Sequence, residues 1–260
     1  MVKLMIIITG NKYEKILSGK SAEKILFPEY GKNRSTLQAF VASLKGDEII
    51  VTASLELIDI LLERFRGEEH FLLYSETKKS LTFKEAYELR KYLDFDLRGE
   101  KIEENEKVSV LFCEGKTDSK FFKASYKKVF GFKEAKDLPP NLKLIETLFE
   151  RDNYELIKNE DGYIGIIPSE GNAGVIRNLG NFLRAMEVFN FYVQKIGVAI
   201  DIDESEEAVM QSIKGKLSSF RYKVSKKGFK VGSTEIIPLL IGTKIDLGPC
   251  VEWGLSVVSF

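Results

Sequence analysis

The chain of 260 residues has few of the side chains that bind transition metals, with only two cysteines and one histidine. Cys113 and Cys250 both lie in apolar segments, and they show no CxxC spacing of the kind that forms a zinc site. The sequence therefore predicts neither a structural zinc site nor a disulfide framework. Such sparse cysteine usage favours a reducing, cytoplasmic compartment.

Long apolar runs and a surplus of one charge are also lacking. No segment reaches the roughly 18 uninterrupted apolar residues that a membrane span needs, so no membrane partner is expected. Lys and Arg together number 39, as do Asp and Glu, and the formal net charge is zero. Overall charge therefore gives no argument for a nucleic-acid partner, which would need a local basic patch.

Strand and helix patterns alternate in the first hundred residues. Thr82 followed by Glu85 is typical of a helix N-cap. The charged segment Asp94–Lys107 contains no apolar run and places a boundary near Glu104, so residues 1–104 are expected to form a small α/β unit. The predicted strands are Leu4–Thr9, Glu48–Thr52 and the segment HFLLYS, and the predicted helices are Ser35–Leu44, Leu55–Arg66 and Phe83–Tyr92.

The same alternation resumes in residues 105–260, which are expected to form a second α/β unit. Its pattern predicts a parallel sheet flanked by helices. In such sheets ligands bind at the carboxyl ends of the strands. The predicted strands are Val108–Cys113, Tyr163–Pro168 and Ile196–Ile200, and the predicted helices are Ser119–Val129, Val175–Val188 and Glu206–Leu217.

Two of these strands end on acidic residues. VSVLFCEGKTD supplies Glu114 and Asp118, and IGVAIDIDES supplies Asp201, Asp203 and Glu204. If the two strands are neighbours, these carboxylates converge, and such crowding is costly unless a cation neutralises it. Mg²⁺ or Mn²⁺ is the expected cation, because both prefer oxygen ligands. The alternative is that Asp118 only caps a helix, as Ser205 would do for the next one.

At these residues the sequence resembles a Toprim domain, over about residues 108–204. The matching features are a strand ending in Glu114-Gly115, a strand ending in Asp201-Ile202-Asp203, and a glycine turn containing Gly171 between them. The spacing in EGKTD resembles the OLD family of ATPase-linked nucleases. The resemblance implies a Rossmann-like parallel sheet and Mg²⁺-dependent chemistry on phosphodiester bonds. It further implies metal ligation by Glu114, Asp118, Asp201 and Asp203, with Glu204 as a weaker candidate.

The first unit resembles the C-terminal part of the ABC-type ATPase that precedes the Toprim domain in OLD-family proteins. In GDEIIVTASLELIDILLERF, Ala53 stands where those proteins carry a histidine that senses the γ-phosphate. Gly19-Lys20-Ser21 resembles the end of a Walker A loop, but Glu14 occupies the place of its first glycine. No ATP binding is expected, and the unit is predicted to be a scaffold or a dimerising domain.

Several further residues are candidates for contacts with substrate. Lys116 could bind a phosphate, or it could be an ordinary solvated lysine. The turn at Gly171 and Asn172 could meet a phosphate at the start of the following helix, although a turn without a ligand is as common. The lysines of the segment KGKLSSFRYKVSKKGFK are expected to contact nucleic acid, and its aromatics to face the core. The predicted nucleic-acid contacts are Arg221, Lys223, Lys226, Lys227 and Lys230.

Three functions remain open from the sequence. The first is a metal-dependent endonuclease or phosphodiesterase acting on nucleic acid, with DNA favoured. The second is an inactive Toprim-fold module that binds nucleic acid or an assembly. It is supported by the missing ATP motifs and by the late catalytic lysine of OLD-type nucleases, to which the last lysine of this chain, Lys244, cannot be assigned. The third is a small-molecule phosphotransfer domain on a doubly wound fold.

The amide composition carries a prediction about the source of the protein. Glutamine occurs only three times, whereas Lys and Glu are abundant. This usage favours a thermophilic source. We expect a melting midpoint above about 60 °C in a calorimetric scan, and a midpoint in the mesophilic range would contradict the hypothesis.

Overall fold

The computed structural model describes residues 6–9, 13–18, 25–26, 33–52, 54–66, 69–74, 79–89, 107–136, 154–160, 162–189, 192–202 and 205–242. The chain divides into two units. The first comprises Met1–Glu100 with Glu187–Asn190, and the second comprises Lys101–Met186 with Phe191–Phe260. The boundary that the sequence predicts near Glu104 lies outside the described residues.

The first unit contains a five-stranded sheet in the order β2-β3-β1-β4-β5, in which β5 alone runs antiparallel to its neighbour. Ile7, Ile8 and Ile50 are completely buried at its centre. The strands are β1 (Ile6–Thr9), β2 (Ile25–Leu26), β3 (Ile49–Val51), β4 (Phe71–Tyr74) and β5 (Lys79–Thr82). The helices are α1 (Glu14–Leu17), α2 (Arg34–Ser43), α3 (Leu55–Arg64) and α4 (Phe83–Glu88).

Helix starts in the first unit follow from side-chain caps. Thr82 accepts a hydrogen bond from the Glu85 N–H, and Glu85 accepts one from the Thr82 N–H, which completes the predicted capping box. Ser54 caps α3 in the simpler way, by accepting from the Leu57 N–H. The predicted remainder of α4, residues 90–92, lies outside the described part of the chain.

The second unit contains an eight-stranded sheet in the order β11-β12-β13-β10-β6-β9-β8-β7. Its four central strands, β13, β10, β6 and β9, are parallel, and the flanking strands are antiparallel. The strands are β6 (Val108–Cys113), β7 (Lys133–Glu134), β8 (Glu155–Asn159), β9 (Gly162–Pro168), β10 (Lys195–Asp201), β11 (Tyr222–Ser225), β12 (Gly228–Val231) and β13 (Thr234–Ile241).

Helices cover both faces of this sheet because its central strands are apolar on both sides. All six residues of β6 are buried. On one face Phe122 and Tyr126 of α5 (Lys116–Phe130) pack into a core cluster with Leu111. On the other face Phe182 of α6 (Gly171–Phe189) meets Phe112 edge-on at 5.7 Å. The third helix is α7 (Glu206–Leu217).

These elements confirm the predicted α/β class, with mainly parallel strands at the centre of the second sheet. Helices α5 and α6 begin several residues earlier than the periodicity predicts. The apolar pattern does not register their first turns, because Lys116, Thr117 and Asn172 are polar. Within the described ranges, no helix is long and apolar enough to cross a membrane.

The end of α5 and the interior of α7 give a matched pair of glycine substitutions. Gly131 ends α5 in the left-handed region, with φ at 68°, whereas Gly215 lies within α7, and an added Cβ would meet nothing within 4 Å at either position. We expect Gly131→Ala to destabilise the protein by about 1 kcal/mol through backbone strain. Gly215→Ala should stabilise it by up to about 1 kcal/mol. Urea unfolding followed by circular dichroism measures both, and equal shifts of one sign would contradict these backbone assignments.

Candidate functional site

Glu114 and Asp201 meet at the carboxyl ends of neighbouring parallel strands. The registered pairing of β10 with β6 runs to Val198 opposite Phe112, while β10 continues along β13 as far as Asp201 opposite Ile241. Beyond that pairing, the Glu114 side chain acts as the acceptor: its Oε1 lies 2.7 Å from the Asp201 backbone nitrogen. The carboxylate thus bridges two strand ends whose backbones have separated.

Backbone hydrogen bonds hold the neighbouring strand ends in the same place. The Ser169 N–H donates to the Cys113 carbonyl at 2.7 Å, and the Gly171 N–H donates to the Glu114 carbonyl at 3.1 Å. The turn after β9 is therefore fastened to the turn after β6. On the far side of β10, the Ile202 N–H donates to the carbonyl of Ile241 at 2.8 Å. The ends of four strands consequently form one edge, which displays Glu114 and Asp201.

Asp118 lies in the first turn of α5, immediately after this edge. Its Oδ2 accepts a hydrogen bond of 2.8 Å from the N–H of Gly115, the residue that precedes the helix. This contact is the helix-capping role that the sequence left open for Asp118, and it occupies one carboxylate oxygen. Ser205 caps α7 in the corresponding way, accepting from the Ala208 N–H at 3.2 Å.

The acidic edge affects the pKa of Cys113, the last residue of β6. Its thiol is completely buried and belongs to the core cluster, as the sequence predicts. Burial raises the pKa of Cys113 far above the usual range, and the negative charges of Asp118 and Glu114 raise it further. Burial and the two carboxylates therefore all favour the neutral thiol at Cys113.

The donors at this edge fit a hard divalent cation better than a soft one. They are carboxylates, and Cys113, the cysteine that the described part of the chain places beside them, is held as a buried thiol. Glu114 and Asp118 each accept a backbone hydrogen bond through one carboxylate oxygen. Among the described residues, no group of three His, Cys, Asp or Glu side chains is arranged to hold a metal. Asp203 and Glu204, the remaining predicted ligands, lie outside the described residues, as does Lys244.

The predicted phosphate contacts lie near the same edge, with one complication. Lys116 is the first residue of α5 and is exposed two positions after Glu114. Gly171 and Asn172 begin α6. The Gly171 N–H is already donated to the carbonyls of Glu114 and Ser169, which removes it from phosphate binding. Asn172 stays a candidate.

The predicted basic segment begins in the last turn of α7, with Lys214 and Lys216, and continues into the antiparallel pair β11–β12 at one end of the sheet. Its predicted nucleic-acid contacts, Arg221, Lys223, Lys226, Lys227 and Lys230, are all exposed. Lys230 is paired with Glu235 at 3.1 Å. The expectation that the aromatics face the core is confirmed for Phe229, which is 2% exposed and packs edge-on against Tyr222.

Two features near the edge were not predicted from the sequence. Ser169, buried after β9, accepts a hydrogen bond of 3.0 Å from the Asn178 side chain of α6. This pairing across nine residues depends on the path of the turn and leaves no sequence signal. The second feature is a lysine face on α5, formed by Lys116, Lys120, Lys123 and Lys127. Its four-three-four spacing is a helical period and could have been read from the sequence.

The bond from Glu114 to the Asp201 N–H predicts different effects for two substitutions. Glu114→Ala removes the acceptor and should lower the free energy of unfolding by about 1 kcal/mol in metal-free protein. Glu114→Gln keeps an acceptor oxygen and removes a negative charge beside Asp118, so its stability should equal or exceed that of the wild type. Urea unfolding in EDTA measures both.

The matched control for these substitutions is Glu170→Ala. The Glu170 side chain is 94% exposed, and its ion pair with Arg177 is on the surface. Its substitution should change stability by less than about 0.5 kcal/mol. If Glu114→Ala were as neutral as this control, the bridging role of Glu114 would be wrong.

Comparison with known proteins gives a family and two distant structural likenesses. No curated protein matches the chain. The crystal structure of a hypothetical protein, PH0156, from Pyrococcus horikoshii OT3 is similar with 24% identity and a TM-score of 0.46, over 53% of this chain and 57% of that one. The chain thus spans little more than half the length of this neighbour.

A crystal structure of SsGBP in complex with GDP aligns over 99% of this chain and 98% of that one, with 9% identity and a TM-score of 0.31. Because both TM-scores are below 0.5, neither structure supports an inference about the function of this chain. The family model described as "Protein of unknown function (DUF3226)" matches residues 108–238, half of the chain and nearly all the described elements of the second unit. The chain belongs to the DUF3226 family.

Proposed function

We propose that the second unit is a Toprim-like, metal-dependent phosphodiesterase that acts on nucleic acid, with DNA as the favoured substrate and Mg²⁺ or Mn²⁺ as the cation. The observation that carries this proposal is the 2.7 Å contact between the Glu114 carboxylate and the Asp201 backbone, because it brings the two acid-tipped strands together. The arrangement of Glu-Gly and Asp-x-Asp on adjacent parallel strands resembles the OLD type of Toprim nuclease. The protein is proposed to act in the cytoplasm.

The ligands proposed for the cation are Glu114, Asp118 and Asp201, together with Asp203 and, more weakly, Glu204. A bound divalent cation would offset the crowded negative charge and make water a better nucleophile at neutral pH. Without such an offset, the carboxylates would repel the phosphate of a nucleic acid. The acidic edge therefore needs a cation before it can accept the phosphate that is cut, whereas binding of the strand elsewhere on the surface does not.

The reaction at this edge would be hydrolysis of a phosphodiester. The oxygen of a water molecule forms a bond to phosphorus, the opposite phosphorus–oxygen ester bond breaks, and the leaving oxygen takes a proton. The products are a phosphate monoester and a free hydroxyl. Lys116, exposed beside Glu114, is placed to bind a non-bridging phosphate oxygen and to stabilise charge that develops there.

A second candidate function is an inactive module that keeps the fold and binds nucleic acid. The supporting observation is that both carboxylates at β6 have structural contacts, Glu114 with the Asp201 N–H and Asp118 with the Gly115 N–H. Such contacts would preserve the acids even without catalysis. The two functions differ in whether phosphodiester bonds are cut.

Incubation with supercoiled plasmid and Mg²⁺ or Mn²⁺ separates these functions. We expect nicked product that is abolished by EDTA and reduced roughly 100-fold in Asp201→Asn and Glu114→Gln, since each removes a charged ligand while keeping the shape of the side chain. Glu170→Gln, an exposed acid near the same edge, serves as the matched control and should retain activity.

Two results would overturn the nuclease proposal. One is the absence of nicking with either metal, which would favour the inactive module if plasmid still binds. The other is nicking that survives unchanged in both Asp201→Asn and Glu114→Gln, which would place the activity elsewhere. A melting shift with a nucleotide or sugar phosphate, in the absence of nicking, would favour a small-molecule phosphotransfer domain.

A further inference from the structure

Helix α5 carries a continuous basic face that starts beside the acidic edge. Lys116, Lys120, Lys123 and Lys127 are spaced by four, three and four residues, so their side chains lie along one side of the helix. We call these four residues the lysine face. It begins two residues after Glu114 and, at about 1.5 Å per residue, extends for about 16 Å.

The lysine face borders an open depression on the surface of the second unit. The depression has a volume of about 580 Å³ and is lined by Lys120, Lys123 and Lys127 of this face, by Lys128, and by Glu155 of β8. Four of its six lining residues are therefore cations. A concave surface with this lining offers several ammonium groups to one elongated anion.

Two glutamates partly neutralise the lysine face. Lys123 bonds to Glu155 at 2.7 Å and lies 3.1 Å from Glu134, and Lys127 lies 3.2 Å from Glu134. Partial burial of Lys123 opposes its charge, but the bonds to Glu155 and Glu134 outweigh burial and raise its pKa. Hydrogen bonds from Lys123 and Lys127 lower the pKa of Glu134. Lys123 and Glu134 therefore both stay charged at neutral pH.

An ordinary solvated helix would carry a different pattern. Such helices place acids and bases three or four residues apart, which relieves repulsion between like charges. In α5, five lysines face a single acidic residue, Asp118, and Asp118 is bonded to the Gly115 N–H. With Asp118, Glu134 and Glu155 counted against Lys116, Lys120, Lys123, Lys127 and Lys128, two positive charges remain unbalanced. A polyanion would relieve this repulsion.

We propose that the lysine face binds the phosphate backbone of a nucleic-acid strand and leads it to the acidic edge at Glu114 and Asp201. This inference rests on the proposed function for the position of the bond that is cut. Phosphates of one strand are spaced by about 3.4 Å along the axis of a duplex, so a face of this length that lies along that axis spans about five phosphates. The substrate is accordingly a polynucleotide that extends well beyond the cut, and Glu134 competes with its phosphates for Lys123 and Lys127.

Binding of a fluorescein-labelled 20-base-pair DNA duplex, followed by anisotropy in EDTA, tests the lysine face without requiring catalysis. The variant Lys120→Gln/Lys127→Gln should bind at least about tenfold more weakly. It should also reduce the slope of log K against log salt by about 1.8, because two phosphate contacts are lost. The matched control is Lys45→Gln/Lys84→Gln, two exposed lysines of the first unit, which should leave both quantities unchanged.

Glu134→Gln supplies a test in the opposite direction. It releases Lys123 and Lys127 from their carboxylate partner and should tighten DNA binding several-fold, a gain that a merely structural ion pair would not give. The Glu134 side chain is 54% exposed, so the substitution should not disturb folding. Wild-type binding with an unchanged salt slope in Lys120→Gln/Lys127→Gln, or no gain in Glu134→Gln, would overturn the proposal.

The binding assay tests the lysine face, and the cleavage assay tests the proposed catalysis, so either proposal can be wrong while the other stands. If the lysine variants weaken binding as expected while plasmid nicking is absent, the binding surface stands and the proposed catalysis is wrong. If the plasmid is nicked while the lysine variants bind normally, the catalysis stands and the lysine face is wrong. If the wild type does not bind the duplex at all, the partner of this face is not DNA, and the proposal is overturned.

Discussion

The parallel pairing of β6 with β10 is the constraint on which the candidate site depends. All six residues of β6 are buried, as are the five residues of β10 from Ile196 to Ile200. Pairing the two in parallel therefore puts the acids that follow these buried runs, Glu114 and Asp201, at the same edge, and the Glu114 carboxylate fixes this geometry by accepting from the Asp201 N–H. A one-residue slip of either strand would interchange the side chains of its two packed faces.

The acidic edge and the lysine face are consequences of one turn. Glu114 and Gly115 alone link the end of β6 to the start of α5, so the carboxylate at the strand end and the first lysine of the helix are only two residues apart. Asp118 stabilises that turn through the Gly115 N–H and so sets the direction in which α5 leaves the edge. The same local structure thereby positions the residues proposed for the cation and the residues proposed for the phosphate backbone.

The sequence predicts the described elements of the fold well, because strands and helices in this chain have strong apolar periods. Strand β6 and helix α7 have the predicted bounds, and the Thr82–Glu85 capping box forms as expected. The adjacency of β6 and β10 could only be stated as a condition, since hydrogen-bonded neighbours separated by more than 80 residues leave no local signal. The Ser169–Asn178 contact was not predicted because it depends on the path of the turn between β9 and α6.

Local reasoning from single residues was less complete for the site. The sequence identified Asp118 as either a ligand or a cap, and the structure shows the capping contact while leaving one oxygen for a ligand. It identified the phosphate turn at Gly171 without foreseeing that this N–H bonds to the Glu114 carbonyl. The lysine face of α5 has a helical spacing of four, three and four residues that is present in the sequence, although only Lys116 was predicted to contact a phosphate.

The central claim is that a divalent cation binds between the ends of β6 and β10. Diffraction from crystals grown with Mn²⁺, measured for anomalous signal, tests this claim most directly. The account predicts an anomalous peak within about 2.2 Å of carboxylate oxygens of both Glu114 and Asp201. It also predicts that this peak disappears in Glu114→Gln crystals grown in the same way. A well-ordered edge with no peak at these carboxylates, or a peak that is unaffected by Glu114→Gln, would contradict it.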